Sequence, residues 1–259
     1  MTRHETFATT DISKKEMVLA TDLDGTFLGG TDQDRKAFYA FVEKNRDRIG
    51  LIFVTGRDPG YIVNAVKNGL PAPDYVIGDV GTTIAQFDAD GHVAPIEELE
   101  AEISDGWGVA GQSVVTALNR AKGLTLQSSG FRYRASFDMD PATFDKGALA
   151  VVADLGLDAL ISDNRFFDVL PKGVSKGPSL LRLLAYLGVQ NQRTLVAGDT
   201  LNDLSMLELG LPAVAVGGSE PDLLTRLEGQ SHVHCATGIG VLGIAEAILE
   251  FDLLSKTPS

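Results

Sequence analysis

Residues 17–30, MVLATDLDGTFLGG, set a short apolar run directly in front of two carboxylates. The run Met17-Val18-Leu19-Ala20 has the character of a strand buried on both faces. Residues two apart on an extended chain point the same way. Asp22 and Asp24 therefore project together just past a buried strand, where open α/β sheets place their ligands. Two carboxylates that close repel, and burial adds to the cost, so a cation or a shared proton must offset them. Alternatively the pair is solvated in an ordinary Asp-Gly turn, which these five residues also allow.

Further apolar runs repeat the pattern. Residues 51–54 end in Thr55-Gly56-Arg57, and 194–197 end in Gly198-Asp199-Thr200-Leu201-Asn202-Asp203. Residues 74–78, 166–170 and 213–216 read as further strands. Helical spacing occupies 32–48, 59–67 and 175–187. Strand and helix alternation predicts an α/β fold with a doubly wound, mostly parallel sheet, a Rossmann-like core over residues 17–84 and 166–259. The pattern changes over 85–165. There Phe131-Arg132-Tyr133-Arg134-Ala135-Ser136-Phe137 alternates apolar and polar residues like a sheet with one wet face. That segment reads as an inserted α+β unit, with helices at 96–103, 109–121 and 141–155. Residues 1–16, polar and of mixed charge, read as a flexible tail rather than a signal or transit peptide.

A net charge of −13 argues against nucleic acid and anionic membrane surfaces as partners. No run approaches the roughly 20 apolar residues of a membrane span. The single cysteine, Cys235, excludes an internal disulfide and reads as a small buried residue, consistent with a reducing, cytoplasmic setting. A monomer is expected.

An anionic substrate would have to overcome this field through a local metal ion or basic cluster. A doubly wound sheet brings Asp22, Asp24, Asp199 and Asp203 to one edge. Four carboxylates there demand a divalent cation, and oxygen-only donors point to Mg²⁺. Lys176 sits in the first turn of a helix, where a cation opposes the helix dipole at a cost of about 0.3–1 kcal/mol. An anion beside it would compensate; a lysine turned to solvent is the plainer reading.

Together, Asp22-x-Asp24-Gly25-Thr26, Thr55-Gly56-Arg57, Lys176-Gly177 and Gly198-Asp199-x-x-Asn202-Asp203 resemble the four ordered motifs of the haloacid dehalogenase superfamily of phosphatases. The resemblance covers nearly the whole chain. A short interval between the first two motifs and a long one between the second and third imply a cap of the second type, here residues 85–165. Asp74-Tyr75-Val76-Ile77-Gly78, Tyr133 to Phe137 and Asp168-Val169-Leu170-Pro171 resemble the sucrose-phosphate phosphatase-like branch. Gly25 departs from that branch, whose plant and cyanobacterial members commonly carry Asn there.

The resemblance implies a Mg²⁺-dependent phosphohydrolase acting on a sugar phosphate, most simply sucrose 6-phosphate or a related disaccharide phosphate. It implies Asp22 as nucleophile and Asp24 as general acid and base. Thr55, Gly56 and Lys176 would bind the phosphoryl group. Asp22, the backbone carbonyl of Asp24, Asp199 and Asp203 would hold the metal. Arg134, Ser136 and Gln127 are the candidate cap contacts to substrate, and Arg57 and Asp168 either orient the site by salt bridges or touch substrate. A phosphosugar mutase, a broad-specificity sugar phosphatase and a non-catalytic sensor are the alternatives.

Overall fold

The computed structural model describes residues 11–128 and 131–255. The first half begins with β1 (Met17–Thr21), α1 (Asp32–Lys44), β2 (Ile49–Val54), α2 (Pro59–Lys67) and β3 (Tyr75–Gly78). It continues through β4 (Thr83–Phe87), β5 (Val93–Pro95), α3 (Glu97–Trp107), α4 (Ala110–Leu118), β6 (Leu124–Leu126) and β7 (Ala135–Met139). There follow α5 (Gly147–Asp154), β8 (Leu157–Ser162), β9 (Phe166–Pro171), α6 (Lys176–Leu187) and β10 (Thr194–Gly198). The chain ends with α7 (Leu204–Leu207), β11 (Ala213–Gly217), α8 (Pro221–Leu227), β12 (Val233–Ile239) and α9 (Val241–Glu250).

One sheet runs in the order β12-β11-β10-β1-β2-β3-β4-β5, parallel from β12 to β3 and antiparallel at β4 and β5. Strand β1 lies between β10 and β2, with Leu19 opposite Leu195 and Leu51. Its five residues are all buried, and the period-two alternation divides them between two cores. Val18 and Ala20 pack with Leu180, Leu183 and Leu184 of α6. Met17 and Leu19 pack with Phe38 and Val42 of α1 and Ile244 of α9. Sheet strands without a wet face are what continuous apolar runs encode. Local chemistry sets the helix starts. Thr31 and Asp34 form a reciprocal capping box on α1, while Asp58 caps α2 ahead of Pro59.

The second sheet is antiparallel, in the order β6-β7-β9-β8. Phe137 and Phe167 from its strands pack with Trp107, Val114 and Val152 in a separate small core. It forms the cap. Its limits differ from those expected at 85 and 165. Strands β4 and β5 extend the large sheet, so the insertion begins beyond Pro95. Strand β9, expected in the core, pairs with β7 and β8. A strand's sequence records burial on both faces, which β9 has in either sheet; it does not record its neighbours.

Other expectations also shift. Residues 131–134 are not strand, and the helix expected at 141–155 is confined to α5. Ile12 is buried against Val18, so the described part of the expected tail is docked; residues 1–10 lie outside the described residues. Cys235 is exposed on the edge strand β12, not buried. Among the described residues no helix is long and apolar enough to cross a membrane.

Candidate active site

The order of the large sheet reverses at β1, whose neighbours β10 and β2 lead the chain outward in opposite directions. At such a switch point the ends of the strands diverge and leave a crevice. Asp22 follows β1, Thr55 follows β2, and Asp199 follows β10.

After β1 the chain turns sharply. Asp22 N–H donates to Ala197 O at 2.9 Å, which ties the turn to β10. Gly25 adopts φ +78°, and a Cβ there would come 2.1 Å from Asp199 Oδ2. Both the backbone conformation and the space therefore require glycine. Thr26 Oγ1 donates to Asp199 Oδ1 at 2.7 Å.

Lys176 is fully buried as the first residue of α6. Its Nζ donates to Asp22 Oδ1 and to Asp203 Oδ1, each at 2.6 Å. The dipole opposition noted in the sequence is thus compensated by two carboxylates. Asp203, itself fully buried, accepts from the backbone N–H of Asp199 at 2.9 Å and of Thr200 at 3.1 Å through Oδ2. Carboxylate oxygens of Asp22, Asp199 and Asp203 all lie within 4.8 Å of one another.

The electrostatics of this cluster are one-sided. Burial raises Asp22 well above the usual carboxylate range, and the Lys176 charge offsets only part of that. Burial, reinforced by Asp203, pushes Asp199 up to about 7. Burial disfavours a charged Lys176, but Asp203 and Asp22 outweigh it and its pKa is raised. One ammonium faces three carboxylates, so the cluster is short of positive charge.

Asp24 takes a different place. Both of its oxygens accept from Arg57, through Nε and Nη2, each at 2.8 Å. Its carboxylate does not join the cluster of three. Arg57 also lies over the Tyr61 ring, 4.6 Å from its centroid. The hydroxyl of Thr55 accepts from Arg57 N–H at 3.2 Å, and Thr55 is fully buried.

A cavity of about 570 Å³ separates this edge from the cap, lined among others by Asp22, Asp24, Arg57, Val80, Gln127 and Phe131. The cap residues singled out in the sequence reach it differently. Gln127 lines the cavity and donates to Asp138 at 3.0 Å. Ser136 Oγ gives its hydrogen to Asp168. Arg134 is buried between Asp168 and Asp79, with Nη1 and Nη2 at 3.4 Å from their oxygens, and Nη2 also donates to Gly56 O at 3.0 Å. Its guanidinium sits 3.6 Å from the Phe131 ring centroid. Asp168 therefore meets Arg134, as the salt-bridge reading of that residue anticipated. Thr55 and Lys176 do not line the cavity; they lie beneath it.

The sequence reading gave no role to Asp79, Val80 or Phe131. Asp79 and Val80 have φ of +52° and +59°, followed by Gly81 at +104°. A β-branched residue in that region is strained. The surroundings enforce it: Ser179 Oγ donates to Gly81 O at 2.6 Å, and a Cβ on Gly81 would meet the Ser175 backbone at 2.4 Å. The loop after β3 thus packs on the start of α6 beside Lys176. Its one sequence signal was an apolar run ending in an acid, the same signature as at Asp22 and Asp199.

The residue pattern of sucrose-6F-phosphate phosphohydrolases matches residues 15–252, nearly the whole chain. The protein belongs to this family. Its members are phosphoric monoester hydrolases of the haloacid dehalogenase superfamily. The sucrose-phosphatase of Synechocystis, solved with sucrose and phosphate, superposes with a TM-score of 0.84 at 25% identity, covering 93% of this chain and all of that one. Mannosylfructose-phosphate phosphatase of Agrobacterium fabrum is 31% identical over 250 residues, 91% of this chain and 97% of that protein. Glucosylglycerol-phosphate synthase of Pseudomonas anguilliseptica is 39% identical over 242 residues, 93% of this chain; the chain spans only 31% of that longer protein.

Proposed function

We propose that the protein is a Mg²⁺-dependent phosphatase of a phosphorylated glycoside about the size of a disaccharide. The substrate would be sucrose 6-phosphate or a related compound such as mannosylfructose phosphate or glucosylglycerol phosphate. The observation that carries this reading is the Lys176-bridged cluster of Asp22, Asp199 and Asp203 beneath a capped cavity of about 570 Å³. That volume lies within the range of small-molecule sites, about 300–1,000 Å³.

The cluster fits a hard divalent cation. Its donors are all oxygens, Gly25 leaves their space open, and its surplus negative charge is what such an ion offsets. Asp22, Asp199 and Asp203, with the backbone carbonyl of Asp24, would hold Mg²⁺. When bound, Mg²⁺ supplies the charge neutralisation that lets an anionic nucleophile approach an anionic phosphate.

The chain's own groups then divide the work. Lys176 fixes one oxygen of Asp22, which leaves the other free to attack phosphorus. Attack forms the Asp22–phosphorus bond and breaks the bond to the sugar oxygen, which takes a proton from Asp24. Asp24, then a carboxylate, removes a proton from water, whose oxygen displaces Asp22 and completes the phosphate. Backbone N–H groups at the turn after β1 and at Gly56 hold the phosphoryl oxygens, while the Thr55 hydroxyl beneath the cavity braces the Arg57 N–H. Asp24 cannot donate while both its oxygens accept from Arg57, so one of the two bonds must open when substrate enters while the other keeps Asp24 oriented. Both partners are about half exposed, which keeps the loosening inexpensive.

Phosphate release with Mg²⁺ from those three glycoside phosphates, trehalose 6-phosphate and simple hexose phosphates tests the reading. A kcat/KM at least about 100-fold higher for one glycoside phosphate is expected, a discrimination of about 3 kcal/mol. A flat, weak profile refutes the disaccharide-sized substrate. No release from any of them refutes the phosphatase.

A further inference from the structure

Arg134, from the cap, touches the peptide that joins Gly56 and Arg57 of the core. Its Nη2 donates to the carbonyl of Gly56, and the next residue is Arg57, whose guanidinium grips Asp24 through two hydrogen bonds. The guanidinium is held at both Nη ends and on one face. Asp168 from the cap and Asp79 from the core lie at its two ends, and the Phe131 ring covers one face. Ser136 in turn fixes Asp168, and Thr83 Oγ1 donates to Asp79 at 2.7 Å. These partners use Nη1, Nη2 and one face, and the buried Nε has none among the described residues. A side chain so anchored is poorly suited to adapt to a sugar, but well suited to hold a backbone carbonyl.

We infer that Arg134 is a positioning residue for the acid–base group: by fixing the Gly56 carbonyl it orients the Gly56–Arg57 peptide, and through Arg57 it aims Asp24 at the leaving oxygen. This rests on the proposed phosphatase reaction. The cap would thereby contribute to the chemical step itself, in addition to enclosing the substrate. Correct aim exists only while the cap sheet is docked, because the Gly56 contact joins cap to core. An open enzyme would then have its nucleophile in place but its acid unaimed, which suppresses wasted turnover of small phosphates.

The experiment compares three phosphomonoesters on wild type, Arg134→Gln and Arg134→Lys, with Mg²⁺ present. Sucrose 6-phosphate (or the best glycoside phosphate found for the wild type) and glycerol 3-phosphate both release an alkoxide that needs a proton. 4-Nitrophenyl phosphate releases a stable phenolate that does not. Misplacement of a catalytic group by about 1 Å costs up to about 100-fold. Arg134→Gln is therefore expected to lower the single-turnover rate of leaving-group release 10- to 100-fold on both alkyl phosphates, with under threefold change in that rate on the aryl phosphate. Arg134→Lys, which keeps the charge and can still reach Gly56 O, is expected to recover part of that loss.

A rise in KM confined to the glycoside phosphate, with kcat intact, would overturn the inference and make Arg134 a direct sugar contact. Equal loss of that first-step rate on all three substrates in a variant of unchanged Tm would also overturn it, placing the defect at the phosphate. Should Arg134→Gln not fold, the same alkyl-to-aryl comparison on Arg134→Lys decides. A wild type inactive on every substrate overturns the phosphatase reading instead, and so is distinguishable.

Discussion

Lys176→Met is the substitution whose cost is set most directly by the structure. Methionine fills nearly the same volume as lysine, so the cavity contribution is small, and the change removes one positive charge. That charge lies 2.6 Å from Asp22 Oδ1 and from Asp203 Oδ1, at a site with no solvent exposure. Removing one partner of a buried ion pair typically costs about 3–5 kcal/mol, because the remaining charge is left uncompensated. Here two carboxylates lose their partner and Asp199 stands beside them, so the upper half of the range applies at pH 8 without metal. At about 2–4 °C per kcal/mol for a domain of this size, Tm falls by roughly 8–20 °C. The folded variant can escape by taking up a proton on Asp22, already raised by burial. The penalty is therefore largest at high pH and shrinks as pH falls. Urea unfolding of wild type and variant in chelator at pH 8 and pH 5.5 measures both statements. A loss below about 1 kcal/mol at pH 8, or a loss independent of pH, would refute the claim that Lys176 is the charge holding this cluster together.

Other expectations follow from the same geometry. Asp199 rises on folding from 3.8 to about 7, so the folded state binds the extra proton between those values. Metal-free stability therefore falls as pH rises through that window, by up to roughly 4 kcal/mol; Mg²⁺ flattens the fall, as unfolding at fixed pH with and without the ion will show. Asp22→Asn removes the attacking carboxylate, and phosphate release drops at least about 1,000-fold, in line with losses seen on removing a covalent nucleophile. Gly81→Ala combines φ +104° with a Cβ 2.4 Å from the Ser175 backbone; it destabilises by more than about 2 kcal/mol and lowers activity by displacing the start of α6, measured by thermal melting and phosphate release.

The carboxylate-bearing edge was legible because its polar residues sit at the ends of apolar runs. Asp22, Thr55 and Asp199 each follow a run that could be nothing but a buried strand, and a parallel sheet gathers such ends on one side. Lys176 was legible as an anomaly, a cation at a helix start, although its partners could not be read from neighbouring residues: Asp22 lies 154 positions away. The cap was less legible. Strand β9 is as apolar as a core strand, and only the pairing of Ala135 with Val169 and of Ser136 with Asp168 shows which sheet it joins. Arg134 and Ser136 were read on one face of a strand pattern, although only Ser136 lies in a strand, and a face does not say whether a polar group meets ligand or a carboxylate from the next strand. Here both meet Asp168. The strained conformation of Asp79 and Val80 was invisible for a different reason: it is imposed by packing against α6, and neither residue prefers it.

The charge arrangement explains how a protein of net charge −13 can take a phosphate ester. Three cations near the cavity are paired with carboxylates before any ligand arrives: Lys176 with Asp22 and Asp203, Arg57 with Asp24, Arg134 with Asp79 and Asp168; Arg165 also lines it. A phosphate dianion gains little from any of those three pairs unless a partner is released. Arg57–Asp24 is the pair that can loosen, since an Asp24 acting in its proposed role as proton donor keeps only one oxygen to accept from Arg57. The Arg57 N–H then freed lines the cavity the phosphate would enter. Loosening of the pair and entry of the anion thus favour one another, and a neutral sugar of the same shape lacks the anion to drive the exchange. Product sugar should consequently bind much more weakly than its phosphate, a difference that titration calorimetry on Asp22→Asn would measure.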